Sequence, residues 1–295
     1  MTHKNYTNEF SFTEYLEDPA PEPSVSKSTL HTLLTKSPLQ AFNEHPRLGG
    51  LKGDMSPRAD LGTAAHAALL GGDERLVVLP YDSFRSKAAR EDRDAAYNEG
   101  KIPVLEQTAE QVSAMAAVAR EAFSRLLGRD LDDSDREHTM IWEQQDSLDS
   151  TSWCRARPDV FTHDRQWMID YKTASTCHPL NWSKQTIASG GYDLQHAHYL
   201  SGAGHLGFHE TRFGFLVQEI EPPYACSLVT LSNEWADLAQ HKRAFGMRLW
   251  SKLMAANVWP GHDGGIVEVD MPKYEAFKWD EVSQYVHNII QRLGD

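Results

Sequence analysis

The stretch RARPDVFTHDRQWMIDYKTAS, residues 155–175, places charged side chains in what otherwise reads as an apolar β-hairpin with its turn at THDR. Side chains alternate along a strand, so Asp170 and Lys172 share one face of the second strand, whereas Tyr171 lies on the other. Asp159 belongs to the neighbouring strand and returns close to them. A buried charge costs several kcal/mol unless it is paired or binds a metal, so these charges require an explanation.

Two carboxylates and one ammonium on a shared face suit metal-dependent hydrolysis of a phosphodiester. Mg²⁺ is usually held by one or two carboxylates together with water and substrate phosphate, and a lysine beside it can orient or deprotonate the attacking water. The alternative is a surface hairpin with solvated charges and one salt bridge. The Asp-x-Lys triplet alone does not decide, because Glu99-Gly100-Lys101 has a similar form in a polar stretch where no strand is predicted.

Composition narrows the class of protein. The chain has 295 residues, 40% hydrophobic and 24% charged, which is typical of a soluble globular protein. It has no apolar run near the roughly 20 residues of a membrane helix and no signal-peptide pattern at its start, so we expect a cytoplasmic protein with no membrane partner. The three cysteines form no CxxC pair, which argues against a zinc ribbon or a disulfide framework.

The net charge bears on possible partners. It is −13, from 29 basic and 42 acidic residues. This balance argues against broad, non-specific binding of polyanions. It does not exclude an enzyme that acts on nucleic acid, because bound divalent metals and a local basic groove can offset the overall charge.

The pattern of apolar residues predicts an α/β (α+β) fold with a mixed sheet. We expect a flexible arm over residues 1–24, a main domain over 25–262, and a C-terminal strand and helix over 263–295, packed on the same domain. A three-strand meander is expected to start at Glu137, followed later by the strands RFGFLVQEIE and YACSLVTLS. One helix is expected to begin at Ser26 or Ser28, and the other helices are expected over 61–72, 110–127, 192–206, 233–258 and 280–293.

Pro158-Asp159 followed by Asp170-Tyr171-Lys172 resembles the signature of the PD-(D/E)xK nuclease superfamily. On the predicted helix after the hairpin, Gln195 and Tyr199 are four residues apart and therefore share a face. Alone, this pair indicates only an amphipathic helix with one polar residue. Beside the hairpin, it resembles the QxxxY motif of the branch that includes λ-exonuclease and RecB.

Five phrases in order along residues 24–262 resemble the RecE-like, phage-type exodeoxyribonucleases: SVSKSTLHTLLTKSP, GTAAHAALL, CRARPDV, DYKTAS and YDLQHAHYL. The chain departs from the pattern at Tyr171, where an aliphatic residue is usual. Since that side chain faces away from the site, catalysis should tolerate the change. Three cysteines are too few for the iron–sulfur branch of this group.

The resemblance implies a restriction-endonuclease-like core, a mixed central β-sheet flanked by helices, and a site for two Mg²⁺ ions, with Mn²⁺ as a substitute. The implied metal ligands are His66, Glu137, Asp159, Asp170 and the main-chain carbonyl of Tyr171. The implied catalytic residues are Asp159, Asp170, Lys172, Gln195 and Tyr199. The implied contacts to DNA phosphate are Lys27, Arg155 and Arg157.

Several of these side chains have a plainer alternative. His66 would otherwise be a core histidine, Glu137 a solvated glutamate at a strand end, and each basic residue a solvated surface cation.

The resemblance also implies the activity. Enzymes of this type degrade one strand of linear double-stranded DNA from the 5′ end with Mg²⁺, form ring-shaped homo-oligomers around DNA, and work with a single-strand annealing protein in phage recombination or DNA repair. A structure-specific or site-specific endonuclease of the same fold is one alternative. A catalytically silent DNA-binding or scaffold protein is another.

Overall fold

The structure, a computed structural model, describes residues 6–8, 10–50, 61–145, 150–262 and 264–294. Their contacts divide the chain into two compact units, residues 1–259 and residues 260–295. The packing of the C-terminal extension on the main domain stays a prediction.

The described strands are β1 (Tyr6–Asn8), β2 (Leu76–Leu79), β3 (Ile102–Leu105), β4 (Ser134–Arg136), β5 (Thr139–Gln145), β6 (Thr151–Ala156), β7 (Val160–Thr162), β8 (Trp167–Ala174), β9 (Arg212–Glu219) and β10 (Cys226–Val229). The described α-helices are α1 (Phe12–Leu16), α2 (Lys27–Thr35), α3 (Pro38–Glu44), α4 (Leu61–Leu70), α5 (Lys87–Asn98), α6 (Glu106–Leu127), α7 (Pro179–Thr186), α8 (Tyr192–His205), α9 (Asn233–Ala256) and α10 (Lys273–Gly294). Serine hydroxyls cap two helices where the sequence predicts caps: Ser26 before α2 and Ser232 before α9.

The central sheet has the strand order β10-β9-β8-β7-β4. β8 and β9 run parallel and the other neighbours run antiparallel, so the sheet is mixed and the predicted α/β (α+β) fold class is confirmed. Parallel neighbours require a crossover connection, which α7 and α8 supply between β8 and β9. This crossover brings α8 next to the strand that carries Asp170 and Lys172.

Helices cover both faces of the central sheet. On one face, α4 and α6 pack over a buried cluster that includes Tyr171 and Leu216. On the other, α2, α8 and α9 pack over a cluster that includes Phe215 and Trp250. Phe215 and Leu216 are neighbours in β9 and fall in different clusters because side chains alternate along a strand. The site therefore lies on a sheet buried on both sides.

The predicted three-strand meander is wrong in its pairing. β5 and β6 pair antiparallel in a separate sheet of order β1-β5-β6, whereas β7 and β8 belong to the central sheet. The segment TSWCRARPDVF, the second strand that the sequence predicts for this meander, is interrupted between Ala156 and Val160, because Pro158 has no amide hydrogen to donate to a ladder. The chain changes sheet at Pro158-Asp159, which places Asp159 just before β7.

A small parallel sheet, β2 with β3, was not predicted. Its strands are four residues each, and Pro103 in β3 is unusual within a strand. The helix between them, α5, is polar and buries Ala89 and Ala96. The Glu99-Gly100-Lys101 triplet lies in the turn between α5 and β3, away from the central sheet.

The N-terminal segment was expected to be a loosely attached arm, and its described part is instead packed. β1 pairs with β5, and α1 begins with a capping box formed by Ser11 and Glu14. Asp18 is buried, and its carboxylate accepts hydrogen bonds from the backbone N–H and the hydroxyl of Ser24 at 2.8 and 2.6 Å. These hydrogen bonds, which composition alone does not show, hold the segment in place.

The C-terminal unit differs from the expectation in one element. We predicted a strand at VEVDMP, residues 267–272, but these residues have no regular secondary structure. A strand needs a neighbour for its backbone N–H and C=O groups, and the described part of this unit offers only the helix α10. Among the described residues of the whole chain, no helix combines the length and apolar character that crossing a membrane requires.

Candidate active site

The hairpin of β7 and β8 sets the position of Asp159. Val160 pairs with Ile169, so Asp159 lies just before β7. It lies opposite the part of β8 that pairs with β9 but has no further pairing with β7. There its carboxylate oxygen Oδ2 accepts the backbone N–H of Tyr171 at 2.7 Å. The carboxylate thus accepts the N–H that the backbone carbonyl of a paired strand would otherwise accept. This hydrogen bond fixes the carboxylate against β8.

Asp170 is held from two directions. It is 3% exposed, its oxygen Oδ2 contacts the Lys172 ammonium, and its oxygen Oδ1 accepts a hydrogen bond of 2.5 Å from the Gln195 amide. Gln195 is buried in α8, the crossover helix. The hairpin and the helix therefore bring together three of the predicted catalytic residues.

His66 reaches the same place from α4. Its Nε2 atom lies 3.1 Å from Oδ1 of Asp159, and its side chain is 32% exposed. The alternative of a core histidine does not fit this half-exposed position beside a carboxylate. His66 and Tyr171 therefore contact opposite oxygens of Asp159.

Tyr171 lies behind the site, as the alternation of strand side chains predicts. Its ring is buried in the cluster beneath α4 and α6. Its hydroxyl donates a hydrogen bond to the side-chain oxygen of Gln218. The side chain is therefore part of the core, and only its backbone lies at the site.

The two carboxylates differ in charge behaviour. Burial raises the pKa of Asp170, and the nearby charge of Asp159 raises it further, against the opposing effect of Lys172. Burial would also raise the pKa of Asp159, but the charge and hydrogen bond of His66, together with Lys172, hold it below its ordinary value. The charge of Asp159 and the burial of Asp170 thus act in the same direction on the Asp170 carboxylate.

The two basic side chains of the site both have raised pKa values. Burial lowers the pKa of Lys172, but the charges of Asp170 and Asp159 outweigh burial and hold the pKa above its ordinary value. In His66 the charge of Asp159 likewise overcomes burial, and the pKa is raised. At neutral pH, Lys172 is an ammonium that donates hydrogen bonds.

Glu137 and Tyr199 lie at the border of the site, and each of them contacts Arg157. The Glu137 carboxylate lies 3.5 Å from the Arg157 guanidinium, and the Tyr199 hydroxyl donates to the Arg157 carbonyl at 3.2 Å. Glu137 has a left-handed backbone (φ 52°), and its N–H donates to the Asp159 carbonyl at 2.9 Å. The negative charge of Glu137 helps to raise the pKa of His66. Glu137 is therefore near the predicted ligands without contacting them through its carboxylate.

Two of the three predicted phosphate contacts are arginines that pair with acidic side chains of the protein. Arg155 is 5% exposed, and its guanidinium contacts Asp18 at 3.1 Å and the carbonyl of Ser24 at 2.8 Å. Arg157 donates to the Phe10 carbonyl at 2.5 Å in addition to its contact with Glu137. The prediction for Arg155 is corrected, because a buried, ion-paired guanidinium is not presented to a phosphate.

Lys27 lies beside the active site. Its ammonium donates to the carbonyl of Gly190 at 2.7 Å and lies 5.3 Å from the centre of the Tyr192 ring, while Lys172 lies 5.0 Å from the same centre. Burial, and next the charge of Lys172, lower the pKa of Lys27 to about 8. Lys27 is therefore the predicted phosphate contact that the structure places nearest to Lys172.

Tyr192 is a functional candidate that the sequence analysis missed. It is the first residue of α8, three residues before Gln195, so both lie on one side of the helix. The ammonium groups of Lys27 and Lys172 both lie close to its ring, which attracts cations. The spacing to Gln195 is the signal that could have predicted it.

The donors suit a hard divalent cation. Asp159, Asp170 and the carbonyl of Tyr171 offer oxygen ligands, and His66 offers a nitrogen. In the described residues, no group of three or more His, Cys, Asp or Glu side chains already converges as a ligand set. The carboxylates are instead paired with His66, Lys172 and the Tyr171 amide. The mutual repulsion of the two buried carboxylates is nonetheless what a bound cation would relieve, so these residues fit a metal site.

Comparisons with known proteins agree with this architecture. In fold, the chain is similar to a protein from Eubacterium rectale described as a "putative exonuclease", with a TM-score of 0.61, 11% identity, and coverage of 91% of this chain and 98% of that one. A phage-related exonuclease from Haemophilus somnus 129PT aligns over 80% of this chain and 96% of its own at 12% identity, with a TM-score of 0.29 that is too low to carry an argument. At these identities, the first similarity shows the fold alone.

Sequence comparison gives the family. No curated protein matches the chain. A family model matches residues 47–270, a span that contains His66, Asp159, Asp170, Lys172 and Gln195. That model describes a PDDEXK-like domain of unknown function, DUF3799. Because the match covers most of the chain, and the hairpin carries the residues after which such domains are named, this protein belongs to the PDDEXK-like family DUF3799.

Proposed function

We propose that this protein is a Mg²⁺-dependent exodeoxyribonuclease that degrades one strand of linear double-stranded DNA, in the 5′-to-3′ direction. The observation that carries the proposal is that β8 brings together four side chains, those of Asp159, Asp170, Lys172 and Gln195. Membership of a PDDEXK-like family supports a hydrolytic nuclease. The RecE-like phrases and the Gln195/Tyr199 spacing support the choice of exonuclease.

In this proposal, Asp159, Asp170 and the Tyr171 carbonyl hold two divalent cations, with His66 and Glu137 completing the set. When bound, such cations would lower the pKa of water and offset negative charge on the phosphate. Lys172, kept protonated by the negative charge of the two carboxylates, orients the attacking water and neutralises charge that develops on the phosphate. Gln195 keeps Asp170 in place through its amide, and Tyr199 supports the segment around Arg157.

The acidic charge of the chain is compatible with a DNA substrate. A net charge of −13 describes the whole chain, whereas DNA responds to the field where it passes. Lys27 and Lys172 both lie at the site. A ring-shaped homo-oligomer around the duplex and a single-strand annealing partner, as in RecE-like recombination systems, complete the proposal.

Digestion of end-labelled linear duplex tests the activity. We expect digestion with Mg²⁺ or Mn²⁺ and none with a chelator, with label at the 5′ end released early and label at the 3′ end released late. A covalently closed circle of the same sequence should survive, because it has no end.

Two other results would replace the proposal. Cleavage of the circle would indicate a structure-specific endonuclease of the same fold. Binding of DNA without cleavage under any divalent metal would indicate a silent DNA-binding or scaffold protein. The intact Asp159, Asp170 and Lys172 favour an active enzyme over both a silent protein and a scaffold.

A further inference from the structure

A cavity of about 310 Å³ lies between α2, α8 and α9, next to the candidate active site. His31 in its wall is four residues after Lys27 on α2, so the two side chains are neighbours on one face of the helix. Lys27 contacts the ring of Tyr192, and Lys172 contacts the same ring. Tyr192 and Lys27 therefore connect Lys172 to the helical face of α2 that carries His31.

The walls of the cavity are largely apolar and include Leu34, Ala188 and the ring of Phe245. Phe245 is 59% exposed, although it lies on a helix whose neighbouring residues, Gly246 and Met247, are buried. The Arg248 guanidinium lies 5.5 Å from the centre of the Phe245 ring. The rest of this exposed ring, at the edge of an apolar cavity, offers a surface for stacking another flat ring. His31 offers a second ring, and burial, followed by the charge of Lys27, lowers its pKa, which keeps it uncharged at neutral pH.

The polar side of the cavity is a buried ion pair. Asp193 is 1% exposed, and its carboxylate contacts the Lys242 ammonium at 2.5 Å. The other carboxylate oxygen accepts the backbone N–H of Leu194, so Asp193 is fully engaged. Lys242 is partly exposed and has further N–H donors, because an ammonium carries three and the ion pair uses one. The cavity thus combines stacking rings with a donor suited to a carbonyl or a ring nitrogen.

These features match a nucleobase better than an aliphatic ligand. The volume falls in the range of small-ligand cavities, about 300–1,000 Å³. Bases taken out of a duplex are commonly bound by aromatic stacking together with hydrogen bonds to their edges. Lys27, one helical turn before His31 of the cavity wall, lies beside the same Tyr192 ring as Lys172. Its ammonium is therefore a suitable contact for a phosphate that links a base in the cavity to a cleaved bond.

We infer that the cavity between α2, α8 and α9 is a subsite for one unpaired nucleobase of the strand bound at the Asp159–Asp170–Lys172 site, with Lys27 contacting the phosphate between them. The inference rests on the proposed nuclease function and goes beyond it by naming where an unpaired base is held. It requires the end of the duplex to be opened by at least one base pair before cleavage.

The test measures binding of a short single-stranded oligodeoxynucleotide, without divalent metal, to the inactive Asp170→Asn protein. In that background, Phe245→Ala should weaken binding at least fivefold, the lower end of what losing one stacked base costs. Phe277→Ala is the matched control, because Phe277 is also an exposed phenylalanine on a long helix and lies far along the chain from the cavity residues. This control should leave binding unchanged.

A set of oligonucleotides with a single abasic site, moved one position at a time, identifies the base. At one position, the abasic site should weaken binding to the Asp170→Asn protein and remove the difference between this protein and its Phe245→Ala variant. Equal affinity of Phe245→Ala and its parent, or a loss that is the same for every abasic position, overturns the subsite. If the wild-type protein digests linear duplex in either case, the proposed function stands and the subsite alone fails. If it does not digest or bind DNA, both fail.

Discussion

Asp159 and Asp170 occupy different local environments despite lying on the same hairpin. Asp159 accepts a backbone N–H and faces His66, which holds its pKa down. Asp170 is more deeply buried, and its pKa is raised by burial and by the charge of Asp159. A neighbouring positive charge, either a bound cation or the ammonium of Lys172, therefore stabilises the ionised form of Asp170 more than that of Asp159.

Arg155 gives a prediction about stability. Arg155→Met leaves the buried carboxylate of Asp18 without its 3.1 Å partner. Breaking a buried ion pair on one side costs about 3–5 kcal/mol, so the free energy of unfolding in urea should fall by about that amount. Arg248→Met, at an exposed position, should change it by less than about 0.5 kcal/mol. Normal stability combined with weaker, less salt-dependent DNA binding would restore Arg155 as a phosphate contact.

At the scale of single elements, α8 depends on a tight turn before it. Gly191 has a left-handed backbone (φ 61°), and a Cβ there would lie 2.4 Å from Cδ2 of His31. Its carbonyl accepts the N–H of Gln195, so a shift here moves a residue of the site. Gly191→Ala should therefore destabilise the protein and reduce Mg²⁺-dependent digestion.

Gly207 is the matched control for Gly191. It is also left-handed (φ 91°), but a Cβ there would have no neighbour within 4 Å. Gly207→Ala should cost only the backbone strain, about 1–2 kcal/mol in urea unfolding, and leave digestion unchanged. Equal effects of the two substitutions would show that the contact between α2 and the start of α8 is not tight.

The histidines of α8 predict a dependence of stability on pH. Burial lowers the pKa of His196 to about 4 and that of His198 well below its ordinary value. The folded rings stay neutral while the unfolded rings take up protons below about pH 6.5, so stability is full above that pH and falls as the pH drops. His196→Leu should remove about 2 kcal/mol of the loss between pH 7 and pH 5, measured by urea unfolding. His241→Asn, at an exposed site, should leave the loss unchanged.

A feature of this protein can be predicted from the sequence when the residues that form it lie close together along the chain. It is missed when those residues are far apart along the chain. The catalytic hairpin and the Gln195/Tyr199 helix could be predicted because their signals lie in short, periodic stretches. Arg155 could not be assigned correctly, since its partner Ser24 is 131 residues away. The split of the meander at Pro158 was readable from that proline, whereas the β2–β3 sheet, with four-residue strands, gives too little periodicity to read.

At the scale of the whole molecule, every residue of the site lies in the unit formed by residues 1–259. The buried clusters that support it also lie there. A protein ending after Trp259 should therefore fold, with a cooperative thermal transition, and retain Mg²⁺-dependent digestion of short linear duplex. Loss of the transition would mean that residues 260–295 are needed for the fold. If the transition is normal and the shortened protein is slower only on long duplex, residues 260–295 have a role in assembly or processivity.

The central claim is that the carboxylates of the hairpin carry metal-dependent DNA hydrolysis, and Asp170→Asn tests it most directly. Glu99→Gln is the matched control, because Glu99 and Lys101 repeat the triplet outside the central sheet. On end-labelled linear duplex with Mg²⁺, we expect Asp170→Asn to lower the rate at least about 100-fold while keeping a normal unfolding transition. We expect Glu99→Gln to match the wild type. An unchanged rate for folded Asp170→Asn, or an equal loss for Glu99→Gln, would contradict the assignment of the site.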